Sequence, residues 1–172
     1  MQKKVQDEAK LIDFSNPAEL TPEKMPLICS LVNEVLRFHP PVGLHPRRCV
    51  FDVNISGHWF RKDYCVEVPV DTLHQSTEYW GDDAGKFVAT RFMDNPALEK
   101  EWFYMPFGAG PRNCIGMRFA LMETRAAVGR LAQNFNVDFP GDFVDDVVHV
   151  RTPTTFIKSS KNIMVTFNDV FR

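Results

Sequence analysis

The sequence has no apolar run that approaches the eighteen or so residues of a membrane-spanning helix. It has no basic excess: 20 Lys and Arg stand against 22 Asp and Glu, for a formal net charge of −2. That balance argues against a dedicated nucleic-acid binder. The first residues, Met1-Gln2-Lys3-Lys4-Val5-Gln6-Asp7-Glu8, have no apolar core, so they do not read as a signal peptide. Cysteine is sparse. Cys29, Cys49, Cys65 and Cys114 are widely spaced, none forms C-x-x-C, and no His stands at zinc-finger spacing from them. A structural zinc site is not expected, and free thiols are. No internal repeat or low-complexity tract is present, which excludes a collagen-like or disordered chain. What is abundant is Phe, with 15, and Pro, with 12. The 172 residues, 44% hydrophobic and 24% charged, are about one ordinary globular domain's worth.

Met1 to Leu11 is helix-permissive and Asp13 to Ala18 reads as a loop. Thr21-Pro22-Glu23 has the order of a helix start, limited by Pro26 to about one turn. A longer helix is predicted from Pro26 to near Phe38, with Ile28, Val32 and Val35 as its apolar stripe and Pro40-Pro41 as its stop. Two alternating runs follow, Phe51/Val53/Ile55 and Val66/Val68/Val70, with Ser56-Gly57-His58 suited to a turn between them. Gln75 to Pro106 is irregular and holds scattered aromatics whose simplest role is packing. A loop this long is often functional. Phe107 to Gly116 is Gly-rich, and Ile115 to Asn134 reads as a long helix. The tail predicts a β hairpin: Ser159-Ser160-Lys161-Asn162 turns into a strand carrying Ile163, Val165 and Phe167.

The long helix carries two apolar stripes. Ile115, Phe119, Met122 and Ala126 share one face, and Met117, Leu121, Thr124 and Val128 share nearly the opposite one. Arg118 and Arg125 separate the stripes on one side, Glu123 and Arg130 on the other. A surface helix has one such stripe, so this helix calls for cover on both sides.

The chemistry-bearing segment is Pro106-Phe107-Gly108-Ala109-Gly110-Pro111-Arg112-Asn113-Cys114-Ile115-Gly116. A lone cysteine just before a helix N-terminus meets unpaired N–H groups and the positive end of the helix dipole, which favour its thiolate. Arg112 adds positive charge, and Gly110 and Gly116 allow a tight turn and close approach to something bulky. Such a thiolate is a nucleophile or a ligand for a soft or borderline metal. The plainer alternative is a buried structural cysteine. A dinucleotide loop fits poorly, because no clear strand precedes Gly108-Ala109-Gly110 and the third glycine is missing.

Phe107-x-x-Gly110-x-Arg112-x-Cys114-x-Gly116 resembles F-x-x-G-x-R-x-C-x-G, the haem-binding signature of the cytochrome P-450 superfamily. Five fixed positions would match by chance in well under about one in a thousand chains this size. Glu34-Val35-Leu36-Arg37-Phe38-His39-Pro40-Pro41 is similar to the family's E-x-x-R helix and following prolines. Phe87 to Phe92 resembles its P-E-R-F segment, and Val68-Pro69 and Leu73-His74 are similar to the stretch between. All occur in family order.

The resemblance implies a fold and a set of roles. The fold would be α+β and mainly helical, the C-terminal part of the cytochrome P-450 fold. It would comprise an E-x-x-R helix, short β strands, an irregular meander, a Cys-ligand loop, a long helix and a C-terminal β hairpin. Residues 1–172 would form one partial domain. Cys114 would be the axial thiolate on the iron of haem b, with Phe107 packed beside the loop. Arg112 would face a propionate, Gly110 would shape the loop, and Gly116 would leave room for the sulfur. Arg47 would meet a propionate too, its register blurred by neighbouring Arg48. Glu34, Arg37 and Arg91 would form a buried ion-pair triad that locks the helix to the meander. Without the resemblance, Glu34 and Arg37 read as a weak exposed pair. His39, His45, His58, His74 and His149 read as surface or packing residues, with His74 the one that could lie near the haem edge. Val42 to His45 and Thr154 to Phe156 are candidates to line a substrate pocket.

The resemblance also has gaps. No A-G-x-[DE]-T-like segment stands between Met1 and Arg37, so the family's oxygen-activating central helix and its N-terminal anchor are expected to be missing, and no residue here takes a catalytic role. Without that helix, one stripe of the long helix should lie bare. Asp63 stands where a glycine is usual, Arg61 where a proline is, and Ala89-Thr90 replaces Pro-Glu. Three readings follow. The first is the haem-holding region of a monooxygenase that inserts one atom of O₂ into a small apolar organic substrate. Its electrons would come from NADPH through a reductase or other donor. The second is a non-catalytic haem binder, and the third a truncated, non-functional remnant. The chain reads as soluble as written, while complete eukaryotic relatives usually sit at the endoplasmic reticulum membrane.

Overall fold

The computed structural model describes residues 1–138 and 164–170 in full, and the strand backbones of 149–151 and 157–159. α1, Gln2–Ala9, buries Val5, Gln6 and Ala9. A 3-10 turn follows at Pro17–Glu19, capped by the Asn16 side chain. The helix expected at Thr21 is absent. The N–H groups of Lys24 and Met25 both bond the Thr21 carbonyl, closing a turn instead. Pro26 is the reason: it holds the residue before it out of helical geometry, and Met25 sits at φ −137, ψ 66.

α2, Pro26–Phe38, runs as the sequence predicts. Its orphan N-terminal donors are met from α1: the N–H groups of Leu27 and Ile28 donate to the Glu8 carboxylate at 2.9 and 2.8 Å. Ile28 and Val32 are buried, but Val35 is 42% exposed. The buried arc of α2 is turned toward Ser30, Asn33, Glu34 and Arg37 instead.

β1, Leu44–Arg48, pairs antiparallel with β4, Cys65–Pro69, and Arg47 lies opposite Val66. Between them β2, Val53–Ile55, and β3, His58–Phe60, form a hairpin. Its turn is Ser56 at φ 50 and Gly57 at φ 87, the backbone that two-residue hairpins require. The turn was expected to join the Phe51 run to the Val66 run. It joins β2 to β3, and Val70 starts a helix rather than ending a strand. A one-turn helix, α3, Val70–Leu73, leads into the irregular segment, which itself contains two more, α4, Thr77–Trp80, and α5, Arg91–Asp94. Trp80 and Phe92 are buried there with Phe103 and Tyr104 around them. The Trp80 and Phe103 rings meet edge-on at 5.1 Å, an aromatic core in place of regular structure.

α6, Met117–Asn134, is followed by β5, Phe135–Asp138, β6, His149–Arg151, β7, Ile157–Ser159, and β8, Thr166–Asp169. β5 pairs with β8 and β6 with β7, all antiparallel. The predicted hairpin is therefore corrected. Phe167 pairs with Val137 in the strand directly after α6, and Ser159 belongs to β7 rather than to a turn. The Phe135 and Phe167 rings meet at 5.8 Å, a cross-strand contact that favours this pairing. Ser160 to Ile163 and Thr154 to Phe156 lie outside the described residues, as does the His149 side chain.

The main core joins α1, α2 and α6. Val5, Ala9, Ile12, Phe14, Met25 and Ile28 pack against Met122, Ala126, Val128 and Ala132. Coverage of α6 is split by position along the helix rather than by stripe. Met122 and Ala126 of the first stripe are packed, while its other end is bare: Ile115 is fully exposed and Phe119 is 63% exposed. Arg125, expected on a polar seam, is buried, and its Nε has no partner among the described residues. Gly129 is buried under Phe14, and an added Cβ would fall inside the van der Waals envelope of that ring. Gly129→Ala should therefore destabilise the chain by about 1–3 kcal/mol despite alanine's better helix propensity. A urea midpoint that rises in Gly129→Ala would contradict this.

Candidate functional site

Arg37 is fully buried and uses all five of its donors. Nε and Nη2 donate to the two Glu34 oxygens, each at 2.8 Å. Nη1 donates to the carbonyls of His74 and Ala84, and Nη2 also to that of Lys86, all at 2.8 Å. Glu34 accepts further from the Val88 N–H at 2.8 Å and from Arg91 Nε at 3.2 Å. Arg91 Nη1 reaches Asp83 at 2.8 Å, and that guanidinium holds the Asp83 carboxyl below its usual range. So the structure brings Glu34, Arg37 and Arg91 together, and it adds Asp83, which balances the four charges to zero. Three residues apart on a helix, the first two look like a surface pair. The meander folded over them is what removes water.

The loop from Phe107 to Gly116 is shaped by two glycines in left-handed geometry, Gly108 at φ 76 and Gly110 at φ 71. Gly116, expected to share that task, sits at φ −87, which any residue adopts. A Cβ on Gly116 would make ordinary contact, 3.9 Å from Cys114 Sγ. The Cys114 N–H donates to the Phe107 carbonyl at 2.8 Å, closing the loop on itself. Cys114 is exposed, which overturns the plainer reading of a buried structural thiol. Ile115, next in the chain, and Phe119, in the first turn of α6, are both bare. Arg112 is exposed and makes no ion pair among the described residues. A cavity of about 280 Å³ lies behind the loop, lined by Phe107, Gly108, Met117, Leu121 and Asn33 among others. Cys114 is not among the residues that line it.

Two histidines hold the approach to this loop. His74 is fully buried. Its Nε2 accepts the Met105 N–H at 3.0 Å, and its Nδ1 is 3.2 Å from the Arg37 carbonyl, to which it therefore donates. The ring stacks on Tyr104 at 5.4 Å. Its pKa is pushed down to about 4, chiefly by burial and also by the Arg37 charge, against the bond to the Arg37 carbonyl. The Tyr104 hydroxyl, itself pushed upward by burial, donates to the Asn33 carbonyl at 3.1 Å. His45 reaches the same Met105 backbone from β1. Sequence reasoning read both as surface or packing residues, with His74 the one that could lie near the haem edge and His45 ending a stretch that could line a substrate pocket, and it did not foresee these bonds. Their partners are backbone groups, which leave no mark in a sequence.

Arg47 and Arg48 have different partners. Arg48 Nη2 pairs with Asp63 at 2.7 Å, while Arg47 bonds only the carbonyl of neighbouring Pro46 at 2.8 Å. Asp63 holds φ 71, so a left-handed backbone survives where glycine is usual, with its carboxylate anchored by Arg48. His39 and His58 are exposed. No group of His, Cys, Asp and Glu among the described residues could hold a bare metal ion. No helix among them is long and apolar enough to cross a membrane.

Fold and site together define a mixed α+β chain that presents one thiol on a glycine-shaped loop over a buried ion-pair hub. The cytochrome P450 family matches residues 1–167, and the chain belongs to that family. It is 40% identical over 141 residues to the protein named cytochrome P450 3A13 of Mus musculus, covering 80% of this chain and 28% of that one. It is 40% identical over 139 residues to cytochrome P450 3A9 of Rattus norvegicus, covering 79% and 27%. It is 36% identical over 137 residues to the cytokinin hydroxylase of Arabidopsis thaliana, covering 78% and 26%. The chain thus spans about a quarter of the length of these relatives.

The family implies a haem iron held by a cysteine thiolate. The residues present fit such a group. A flat apolar ring with two carboxylates needs a thiol, apolar neighbours and cations. Cys114 is exposed, as are Ile115 and Phe119, and Arg47 and Arg112 carry no carboxylate partner among the described residues. His45 Nε2 is a buried nitrogen without a partner.

Proposed function

We propose that this chain forms the thiolate side of a haem-thiolate monooxygenase, with Cys114 as the axial ligand of haem b. The observation that carries this is the exposed Cys114 on a loop closed by its own N–H bond to Phe107 and followed in the chain by two bare apolar side chains. Phe107 packs beside the ligand, Gly110 shapes the turn, and Gly116 leaves the sulfur room. Arg112 and Arg47 meet the propionates. Glu34, Arg37 and Arg91 hold α2 against the meander so that the loop has a rigid base. When bound, haem would supply the oxygen activation for inserting one atom of O₂ into a small apolar organic substrate, with electrons from NADPH through a reductase or other donor. That whole reaction belongs to a protein of the relatives' full length. The share of these 172 residues is to bind and orient the cofactor.

Titration of the purified chain with hemin, followed by reduction under CO, tests this. The expected result is stoichiometric uptake and a thiolate-type, red-shifted Soret band. Cys114→Ser should take up hemin far more weakly and lose the red shift, since a hydroxyl is a poor ligand for this iron. An unchanged spectrum in Cys114→Ser would remove Cys114 as ligand.

A further inference from the structure

β1 turns two side chains to one face. Side chains alternate along a strand, so His45 and Arg47 share a face, and Arg48 lies on the other, engaged by Asp63. The His45 ring lies against the ligand loop: a Cβ on Gly108 would stand 3.5 Å from its Cε1. One ring nitrogen bonds the Met105 backbone. The other, Nε2, is shielded from water and has no hydrogen-bond partner among the described residues. Native chains leave few buried polar atoms in this state, and each asks what completes it. Arg47, two residues on, has a guanidinium tied only to the Pro46 carbonyl. A cation and an orphaned ring nitrogen on one strand face, pressed against a cofactor loop, form the start of a carboxylate site.

We propose that His45 and Arg47 together hold one propionate of the haem, His45 being a contact that the signature motifs do not contain. The inference rests on the haem reading above. Its chemistry can be followed atom by atom. The Met105 backbone faces the ring, and Nε2 is the nitrogen left without a partner; in the neutral ring with its proton on Nδ1, Nε2 offers a lone pair. To donate to a carboxylate it must first take a proton from solvent. Arg47 on the same face and His74 across Met105 are the charged or titratable groups that face the ring, and both oppose that proton until an anion arrives. Proton and propionate therefore enter together.

The test compares hemin with hemin dimethyl ester, whose propionates carry no charge. Both are titrated into the 172-residue chain and into His45→Phe, which keeps a flat ring against Gly108. The variant should bind hemin roughly tenfold more weakly or worse, the usual effect of one charge-assisted bond, and bind the ester as the parent chain does. An equal loss for both hemins, or a loss for neither, would overturn the proposal, because packing and the Met105 bond act on both alike. The parent chain gives a check that needs no variant. Calorimetry in two buffers of different ionisation enthalpy counts protons taken up on binding. Cys114 loses its proton to either hemin, so extra uptake with hemin over the ester is the signature of His45. Equal counts would reject it. Failure of the parent chain to bind either hemin overturns the haem reading itself and this proposal with it.

Discussion

Arg37→Met should abolish the cooperative unfolding transition of the chain. Arg37 is fully buried and its five donors are all used, two on Glu34 and three on backbone carbonyls. Methionine matches the stem but none of the donors. Glu34 then keeps Arg91 and the Val88 N–H only, at zero exposure. Breaking a buried pair from one side typically destabilises by about 3–5 kcal/mol. Each buried carbonyl left bare adds about 1–3 kcal/mol. Together these approach the whole margin of about 5–15 kcal/mol that a domain has. Arg37→Lys should fail nearly as badly, since an ammonium has three donors and no planar fork. Thermal denaturation by circular dichroism measures both. A variant that melts alongside the parent chain would show that the hub contributes nothing.

His74 gives the chain a second vulnerability, in pH. The folded ring stays neutral down to about 4, while the unfolded chain takes the proton near 6.5. Between those values the unfolded state binds more protons. The stability is complete above 6.5 and falls as pH drops toward 4. The expected loss through this one group is about 3 kcal/mol. His45, lowered by burial, adds in the same direction. Asp13, Asp52 and Asp83 are lowered from 3.8 and Glu23 from 4.5, so the carboxylate losses begin at the low edge of the window, below most of the His74 loss. His74→Gln should lose about 2 kcal/mol at neutral pH, because Met105 or Arg37 loses a bond, and should show a flatter profile. Urea midpoints at about pH 7 and about pH 4.5 decide it, and equal slopes for variant and parent would discard the assignment.

The sequence made α2 legible because Pro26 and Pro40 bracket it, and α6 legible because its eighteen residues contain no proline and only one glycine. β1 was not legible. His45-Pro46-Arg47-Arg48 has no alternation, and its proline is tolerated only because the sheet among the described residues is two strands wide. The hairpin turn at Ser56-Gly57 was visible, but its two-residue geometry selects the next strand, not the apolar run further on. In the site, the ligand loop and the Glu34/Arg37/Arg91 grouping were readable through the family's motifs, whereas Asp83, His74 and His45 were not. Each acts on a backbone group or on a partner remote in sequence. Val35 and Arg125 show the same limit from the other side: helical spacing gives a face, and only the neighbours decide whether that face is wet.

The Arg37 hub also has a consequence for how the chain opens and closes. Its bonds to His74, Ala84 and Lys86 close loops of 37, 47 and 49 residues. Closing the first carries an entropic cost of about 3 kcal/mol plus a constant. Once His74 is caught, Ala84 is only ten residues further and Lys86 two more, so by the same scaling the later closures cost less, about 2 and about 0.6 kcal/mol. One side chain thus turns three distant events into a single one. α2 and the meander release together or not at all, and a local breathing motion of either alone is suppressed. In the haem-holding role proposed for the Cys114 loop, that base would give the sulfur a fixed position.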